Sequence, residues 1–517
     1  MSELTFDTLV DDGNYLASER ARIENQAILD ELERKKKARN LAVPTDDNKV
    51  KQRLRELGEP ITLFGERPPD RRDRLIYVLS QINAARGEDG MQVDEESSEE
   101  SSEDEVEEFY TPGSLELLES RRFLAEYSLP RAQKRVAQQR IDSKMPLGRI
   151  IDIRKKVFAE VKRFAELGSQ IGDERPVSQV RFSPNSKYLL TGSWAGNVKL
   201  WNVPDCTPVR TYRGHNDRVG GVAWHPEATK SQSEDAVNFV SGAADLAVNI
   251  WSLNSETPLA TMKGHADRIA RVAFHPSGKY VASASFDTTW RLWDVNTQKE
   301  LLLQEGHSKE VFSIEFQNDG ALCASGGLDA IGRVWDLRTG RTAMVLDGHV
   351  QAIFGIAFSP NGYQIATGSG DDTIRIWDMR SLKALYTIPA HMSNVSDVRF
   401  FYADELPPNY TPPSSAPADV VMNGTEDSAE SNPDSKPADK EEDKALEEWR
   451  YRSGLYFASA GYDGFVKLWS ADDWQLLRTL PTDGGKVMSV DLSHDGRMLA
   501  SGTYNRNFQL FTPDGGI

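Results

Sequence analysis

Two cysteines, Cys206 and Cys323, are all that this 517-residue sequence holds. So few exclude a disulfide framework and make a reducing intracellular compartment the simple setting. No run of 18 apolar residues occurs, which leaves no segment with the length of a membrane-spanning helix. The opening MSELTFDTLVDDGNY is too polar for a secretory signal. There is no GxxxxGK[ST] string, and Gly-Ser-Gly-Asp at 368–371 reads as a turn between strands rather than a phosphate cradle. Eight histidines are present, and each falls at a recurring position. None remains at the spacing of a metal site or a nucleophile–base pair. No catalytic residue, metal or cofactor is therefore expected. Basic residues are outnumbered, 61 Lys and Arg against 79 Asp and Glu, for a net charge of −18. Position qualifies that number. Residues 88–108 carry 12 acidic and no basic residues, and residues 401–446 carry 11 acidic and 3 basic. These two stretches account for the whole excess, and the rest of the chain is close to neutral.

What the chain has in abundance is a repeated ladder. His265, Ser283, Asp287 and Trp293 are separated by 18, 4 and 6 residues. The same gaps return, shifted by 42 each time, at His307, Ser325, Asp329 and Trp335 and at His349, Thr367, Asp371 and Trp377. Upstream stand His215, Ser241, Asp245 and Trp251, with eight extra residues between His and Ser in a polar loop. Before them come Asp173, Thr191, Ala195 and Trp201 at the same gaps with two substitutions. Downstream, His391 is parted by a long insertion from Ser459, Asp463 and Trp469, and Asp483, Ser501, Asn505 and Phe511 complete seven copies. A period near 42 ending in Trp-Asp resembles the WD repeat, whose units of short strands stack around an axis because none buries its apolar face alone. The expected fold is all-β, a seven-bladed WD40 β-propeller over 166–517 with an α-helical, partly disordered N-terminal extension.

The ladder residues have complementary hydrogen-bonding capacities. Indole only donates, a hydroxyl and a neutral imidazole do both, and a carboxylate accepts. The resemblance implies that they form one chain, Trp to Ser or Thr to His to Asp, in each complete repeat. Repeats one and seven lack the full set and are expected to be the least tightly held. His225, His275 and His494 sit in turns after the first strand of a repeat. Aligning IGDERPVSQV with RGHNDRVGGV places Leu167–Ile171 as an outer strand, while the sequence after NFQLF leaves no fourth strand for the last blade. Ile171 is therefore expected to lie alongside Phe508–Phe511 and close the ring.

Ahead of the repeats, residues 1–40 read as a helix over 14–39 with a basic end, Arg34 to Arg39, suited to a nuclear address or to a solvated helix C-terminus. Residues 41–87 form a small module. Thr45 or Asp46 caps a first helix striped by Val50, Leu54 and Leu57, Gly58 and Pro60 end it, and Ile61, Leu63 and Phe64 form an extended apolar patch. A second helix follows Pro68-Pro69, with Arg71, Arg72 and Arg74 near its start. So short a module completes its core against a partner chain. Arg53, Arg55, Leu63, Phe64, Arg71, Arg72 and Arg74 are the candidate residues for contact with a partner or with RNA. Residues 88–110 are too acidic to fold and form a linker, in which Ser97, Ser98, Ser101 and Ser102 precede acids as a kinase would require. Residues 111–165 are a helical arm that Pro130 and Pro146 divide into three pieces. The last carries Ile150, Ile153, Val157, Val161 and Phe164, and Gly168 stops it. The arm and the segment after it to 175 have a net charge of +5, which allows phosphate contact. Insertion 401–447 is rich in Pro, Ser and acids and reads as a disordered loop.

The words LAVPTDD, LRELGEP, TLFGE and RRDRL, with blade strings such as FHPSGK and GGLDAIGRVWDLRTGR, resemble the WD-repeat pre-mRNA processing factors of the U4/U6 small nuclear ribonucleoprotein, the PRP4 type. The resemblance covers about residues 14–87 and 111–517. It implies a nuclear, non-enzymatic scaffold of the U4/U6 particle and the U4/U6.U5 tri-snRNP. The partners it implies are other U4/U6 snRNP proteins, a cyclophilin, and U4/U6 snRNA directly or through those proteins. No membrane and no small-molecule substrate enter that reading. The competing reading is a WD40 substrate receptor of a ubiquitin ligase, whose F-box-like companion domain is not found in 1–170.

Overall fold

The computed structural model of the chain describes residues 47–63, 66–86, 114–403, 446–483 and 485–513. Expectations for the 1–40 helix, the 88–110 linker, Phe64 and the body of the insertion lie outside these residues. The chain divides into two compact units, 1–110 and 111–517.

In the first unit, α1 (Asp47–Glu56) and α2 (Pro68–Arg86) bury Val50, Leu54 and Leu75 against one another, with Leu57 and Leu79 alongside. Gly58, at φ +73°, ends α1 in the left-handed conformation that spares it a Cβ penalty, and Glu59 N–H returns to the Leu54 carbonyl at 3.0 Å. At the start of α2, Pro68 occupies the first helical position, where its missing N–H costs nothing. Asp70 accepts from the Arg67 N–H at 3.1 Å and so closes the helix entrance.

The second unit is a seven-bladed propeller with helices laid on it. Its strands run from β1 (Ala165–Ile171) to β28 (Asn507–Thr512) and form seven four-stranded antiparallel sheets. Six blades use consecutive strands. The seventh is ordered β1, β28, β27 (Leu499–Thr503), β26 (Val487–Leu492), so the chain ahead of the first blade supplies the outer strand of the last. The register pairs Ala165 with Thr512, Glu166 with Phe511, Gln170 with Phe508 and Ile171 with Asn507. Ile171 itself meets Asn507, one residue before the expected stretch, while Glu166–Gln170 face Phe508–Phe511. Inner strands such as VSQVRF (177–182) are buried throughout because each is sandwiched between neighbouring blades.

The helical arm differs from expectation in three respects. First, α3 (Leu115–Asp142) runs through Pro130 without a break. An interior proline removes a hydrogen bond and crowds the preceding turn, but packing against the propeller holds both sides of it, through Leu117 and Leu124 before and Arg135 after. Second, Pro146 acts as the N-cap of α4 (Leu147–Lys162), so the arm has two pieces rather than three. Third, α4 ends at Arg163, and Gly168 lies inside β1 beside a bulge instead of stopping a helix. Ile153, Val157, Val161 and Phe164 share a core with Phe401, Trp449 and Tyr456 of the sixth blade. That packing also corrects the bounds of the insertion. Phe401 and Ala403 are core residues, and a helical stretch, 446–451, carries buried Trp449.

Candidate interaction surfaces

In blades two to six the ladder residues meet. Trp293 Nε1–H donates to Ser283 Oγ at 2.8 Å, and Ser283 Oγ lies 2.6 Å from His265 Nε2. His265 Nδ1 lies 2.8 Å from Asp287. The order of donors fixes the tautomer. The hydroxyl accepts from indole and so donates to Nε2, and Nδ1–H is left to donate to the carboxylate. Chains of the same form run through His215, Ser241, Asp245 and Trp251; His307, Ser325, Asp329 and Trp335; His349, Thr367, Asp371 and Trp377; and His391, Ser459, Asp463 and Trp469. Each Asp also accepts the backbone N–H of the residue after the His, as Asp287 does from Ala266 at 3.1 Å. Burial pushes the Asp371 carboxyl up, but bonds from Thr373 and His349 outweigh it and hold the group down at about 2. All five carboxyls are depressed for the same set of reasons. The arrangement is a latch between turn and strand, enclosed and fully occupied by its own partners.

The end blades depart from it. In blade one, Trp201 still donates to Thr191 at 2.9 Å, while Asp173 takes the histidine position and pairs with Lys199 at 3.2 Å. In blade seven Phe511 has no donor, and Ser501 Oγ is buried without a hydrogen-bond partner among the described residues. Its staple is β1.

The turn histidines lace one end of the ring. His275 Nε2–H donates to the Gly320 carbonyl of the next blade at 2.9 Å, and its Nδ1 accepts from Ser277 N–H at 3.1 Å. Burial depresses its pKa to about 4. Gly278, at φ +73°, sits so close to His225 that a Cβ would come within 2.1 Å of the ring. His494 is exposed. The helices dock on this end. Tyr127 packs on His275, Arg135 pairs with Asp319 at 2.8 Å, and Gln139 donates to the Asn361 carbonyl at 2.7 Å. On α4, Arg154 pairs with Asp472 at 3.0 Å and Glu160 with Arg452 at 2.9 Å. Sequence reasoning missed these residues, because a polar position on a helix does not reveal which strand turn it will meet.

The arginines of the first unit divide in two. Arg71 is buried between Asp47 and Glu66, and Arg74 grips Glu66 through Nε at 2.7 Å and Nη2 at 3.1 Å. The Arg74 bond, opposed by burial, holds the Glu66 carboxyl down. Such forked pairs fix the loop between the helices. Arg53 and Arg55 are exposed, and Arg53 makes an i,i+3 contact with Glu56 at 3.3 Å. Arg72 is half-buried, and Leu63 is 49% exposed. Arg53, Arg55 and Leu63 are thus outward-facing, while Arg71 and Arg74 hold the motif together.

Comparison with known proteins adds resemblances to this geometry. A family model described as pre-mRNA processing factor 4 (PRP4) like matches residues 50–78, which run from within α1 to within α2. The WD domain, G-beta repeat model matches 165–202, 206–252, 256–294, 298–336, 340–378 and 474–512. The first three strands of the sixth blade go unmatched, and the insertion parts the first two of them. A U4/U6 small nuclear ribonucleoprotein Prp4 of Mus musculus is 44% identical over 225 residues, 43% of this chain and 42% of that protein. The PRP4 protein of Saccharomyces cerevisiae is 32% identical over 268 residues, 48% and 53%. An uncharacterised WD repeat-containing protein of Schizosaccharomyces pombe is 41% identical over 265 residues, 51% and 56%. The chain thus spans about half the length of the curated relatives it matches.

Proposed function

We propose that this chain, which resembles the PRP4-type WD-repeat proteins, serves pre-mRNA splicing in the nucleus as a non-enzymatic scaffold of the U4/U6 snRNP and the tri-snRNP. The observation that carries this reading is the joining of a PRP4 motif to a propeller in one chain. The propeller supplies stiffness: seven interlocked sheets, five internal latches and a closing strand make a body that does not deform when partners load. The helices α3 and α4 are bolted across one end of it. The motif supplies adhesion, through Arg53, Arg55 and the Leu63 loop, to other U4/U6 snRNP proteins, a cyclophilin among them. U4/U6 snRNA is held directly or through those proteins.

Purification of tagged full-length protein from its own cells tests this. U4 and U6 RNA are expected in the eluate. Deleting 41–79 is expected to release the protein partners while the propeller keeps its melting transition. Absence of both RNAs from the intact preparation would overturn the proposal.

A further inference from the structure

The end of the propeller opposite α3 and α4 carries a feature that the scaffold reading leaves unused. There, in every blade, the residue following the second strand donates its backbone N–H to the residue preceding the first. Tyr504 donates to the Lys486 carbonyl at 2.9 Å, Phe286 to Arg268 at 3.0 Å and Ala244 to Arg218 at 2.8 Å. This geometry repeats, but the side chains on it do not. Aromatic rings occupy it in blades one, three, six and seven, and cations in blades two, three and seven.

Rings and cations pair with one another at several points around the mouth of the ring. Lys486 lies 5.4 Å over Tyr462, Tyr504 meets Trp194 edge-on at 5.7 Å, and Arg218 sits 5.1 Å over Trp194. Arg268 lies 3.9 Å over Phe286. The circuit returns through Phe312 and Phe354, 5.2 Å apart, to Tyr462, 6.5 Å from Phe354. Arg218, Arg268, Lys486 and Tyr504 are exposed, and Trp194 and Tyr462 are half-buried. Arg175 and Arg506 are exposed beside the same arc. Asp217 and Asp267 spend a carboxylate oxygen each on the N–H of Arg218 and Arg268, at 2.7 and 2.6 Å. Those two carboxylates, with exposed Glu174 and Asp483, are ones that an anion would pass on this arc.

We propose that the arc from Tyr462 through Tyr504 and Trp194 to Arg268 binds an unpaired stretch of RNA, stacking bases on its rings and pairing phosphates with its arginines and lysine. Rings interleaved with cations suit a polyanion with planar bases. An acidic peptide would use the cations and leave the rings idle. Phe312 and Phe354 lie outside the arc, where Glu310 and Ala352 replace the cations, so the strand passes over blades six, seven, one, two and three. This rests on the splicing reading.

The test is fluorescence anisotropy of full-length protein with a labelled single-stranded oligouridylate, its duplex form, and a poly-glutamate peptide. The single strand is expected to bind in preference to the other two. Trp194→Ala and Tyr504→Ala are each expected to weaken binding about 5- to 150-fold, the range for one lost base stack. Arg218→Glu with Arg268→Glu, both on exposed side chains, is expected to weaken it further and to flatten the salt slope by ~0.7 per lost phosphate contact. Lys383→Glu, exposed on the outer strand of blade five, leaves it unchanged. Equal binding of poly-glutamate, no binding of the single strand, or indifference to the arc variants would overturn the proposal. The two readings fail separately. If U4 and U6 RNA co-purify while the arc variants bind oligouridylate normally, the arc alone is wrong. If neither RNA co-purifies, the splicing reading is wrong whatever the arc does.

Discussion

Consider one substitution placed at two equivalent positions, Ser283→Ala in blade three and Ser501→Ala in blade seven. Ser283 is fully buried, accepts the indole proton of Trp293 at 2.8 Å and faces His265 Nε2 at 2.6 Å. Removing its oxygen orphans a buried donor and a buried acceptor. Each unsatisfied buried group costs about 1–3 kcal/mol, so the loss is about 2–4 kcal/mol once partial relaxation is allowed. Ser501 is equally buried, yet its hydroxyl has no partner among the described residues, because Phe511 stands where the tryptophan would be. Deleting that hydroxyl removes an unpaired polar group, and the change is expected to be neutral or stabilising. Urea denaturation of both variants, with hydrogen exchange on blades three and seven, reads the difference. A cycle with Trp293→Phe adds a check. Once the indole donor is gone, the further cost of Ser283→Ala is expected to shrink by about 1 kcal/mol. Equal losses at positions 283 and 501, or no coupling in the cycle, would refute the view that the latch hydroxyl matters through its two hydrogen bonds.

Stability is expected to fall as pH drops from 7 toward 4. His275 is depressed to about 4 by burial, so the unfolded chain takes up that proton first and destabilises the fold below about pH 6.5. A shift of that size is worth about 3 kcal/mol, and an H275N variant is expected to flatten this part of the urea midpoint–pH curve. Below that range the latch carboxyls act in the same direction. Their folded pKa values lie below the usual one, so their contribution is full above about pH 4 and is lost as pH falls further. Arg135→Ala strips the buried Asp319 of its partner, and limited proteolysis is expected to cut α3 faster with the propeller intact. Deleting 404–445, rather than 401–447, is expected to leave the melting temperature nearly unchanged, because Phe401, Ala403 and Trp449 stay in place. In the first unit, Arg71→Glu is expected to unfold α1 and α2 as seen by helix signal, whereas Arg53→Glu is not.

Periodicity made the propeller legible from sequence. Seven copies of one ladder give seven blades, since a repeat that cannot bury its own faces has only its neighbours to use. The ring closure was legible too, because alignment of one repeat boundary on another assigned Leu167–Ile171 to an outer strand with no inner partner nearby in sequence. The stripe Val50, Leu54, Leu57 marked α1 for the same reason: local spacing and local structure share a period. Other features required the folded chain. Pro130 reads as a break, yet α3 continues through it, because contacts made by Leu124 and Arg135 with distant blades outweigh a local preference. Phe401 and Ala403 lie in a stretch of disordered composition and are claimed by the core through α4. Arg71 and Arg74 look like a basic patch, but the fold brings Asp47 and Glu66 to them. The circuit of rings and cations follows no sequence period at all. Its members sit at a shared backbone position that carries different side chains from blade to blade, and only closing the ring sets Trp194 beside Tyr504, 310 residues apart in the chain. Sequence fixes what repeats along one dimension; which unlike residues become neighbours is decided when the ring shuts.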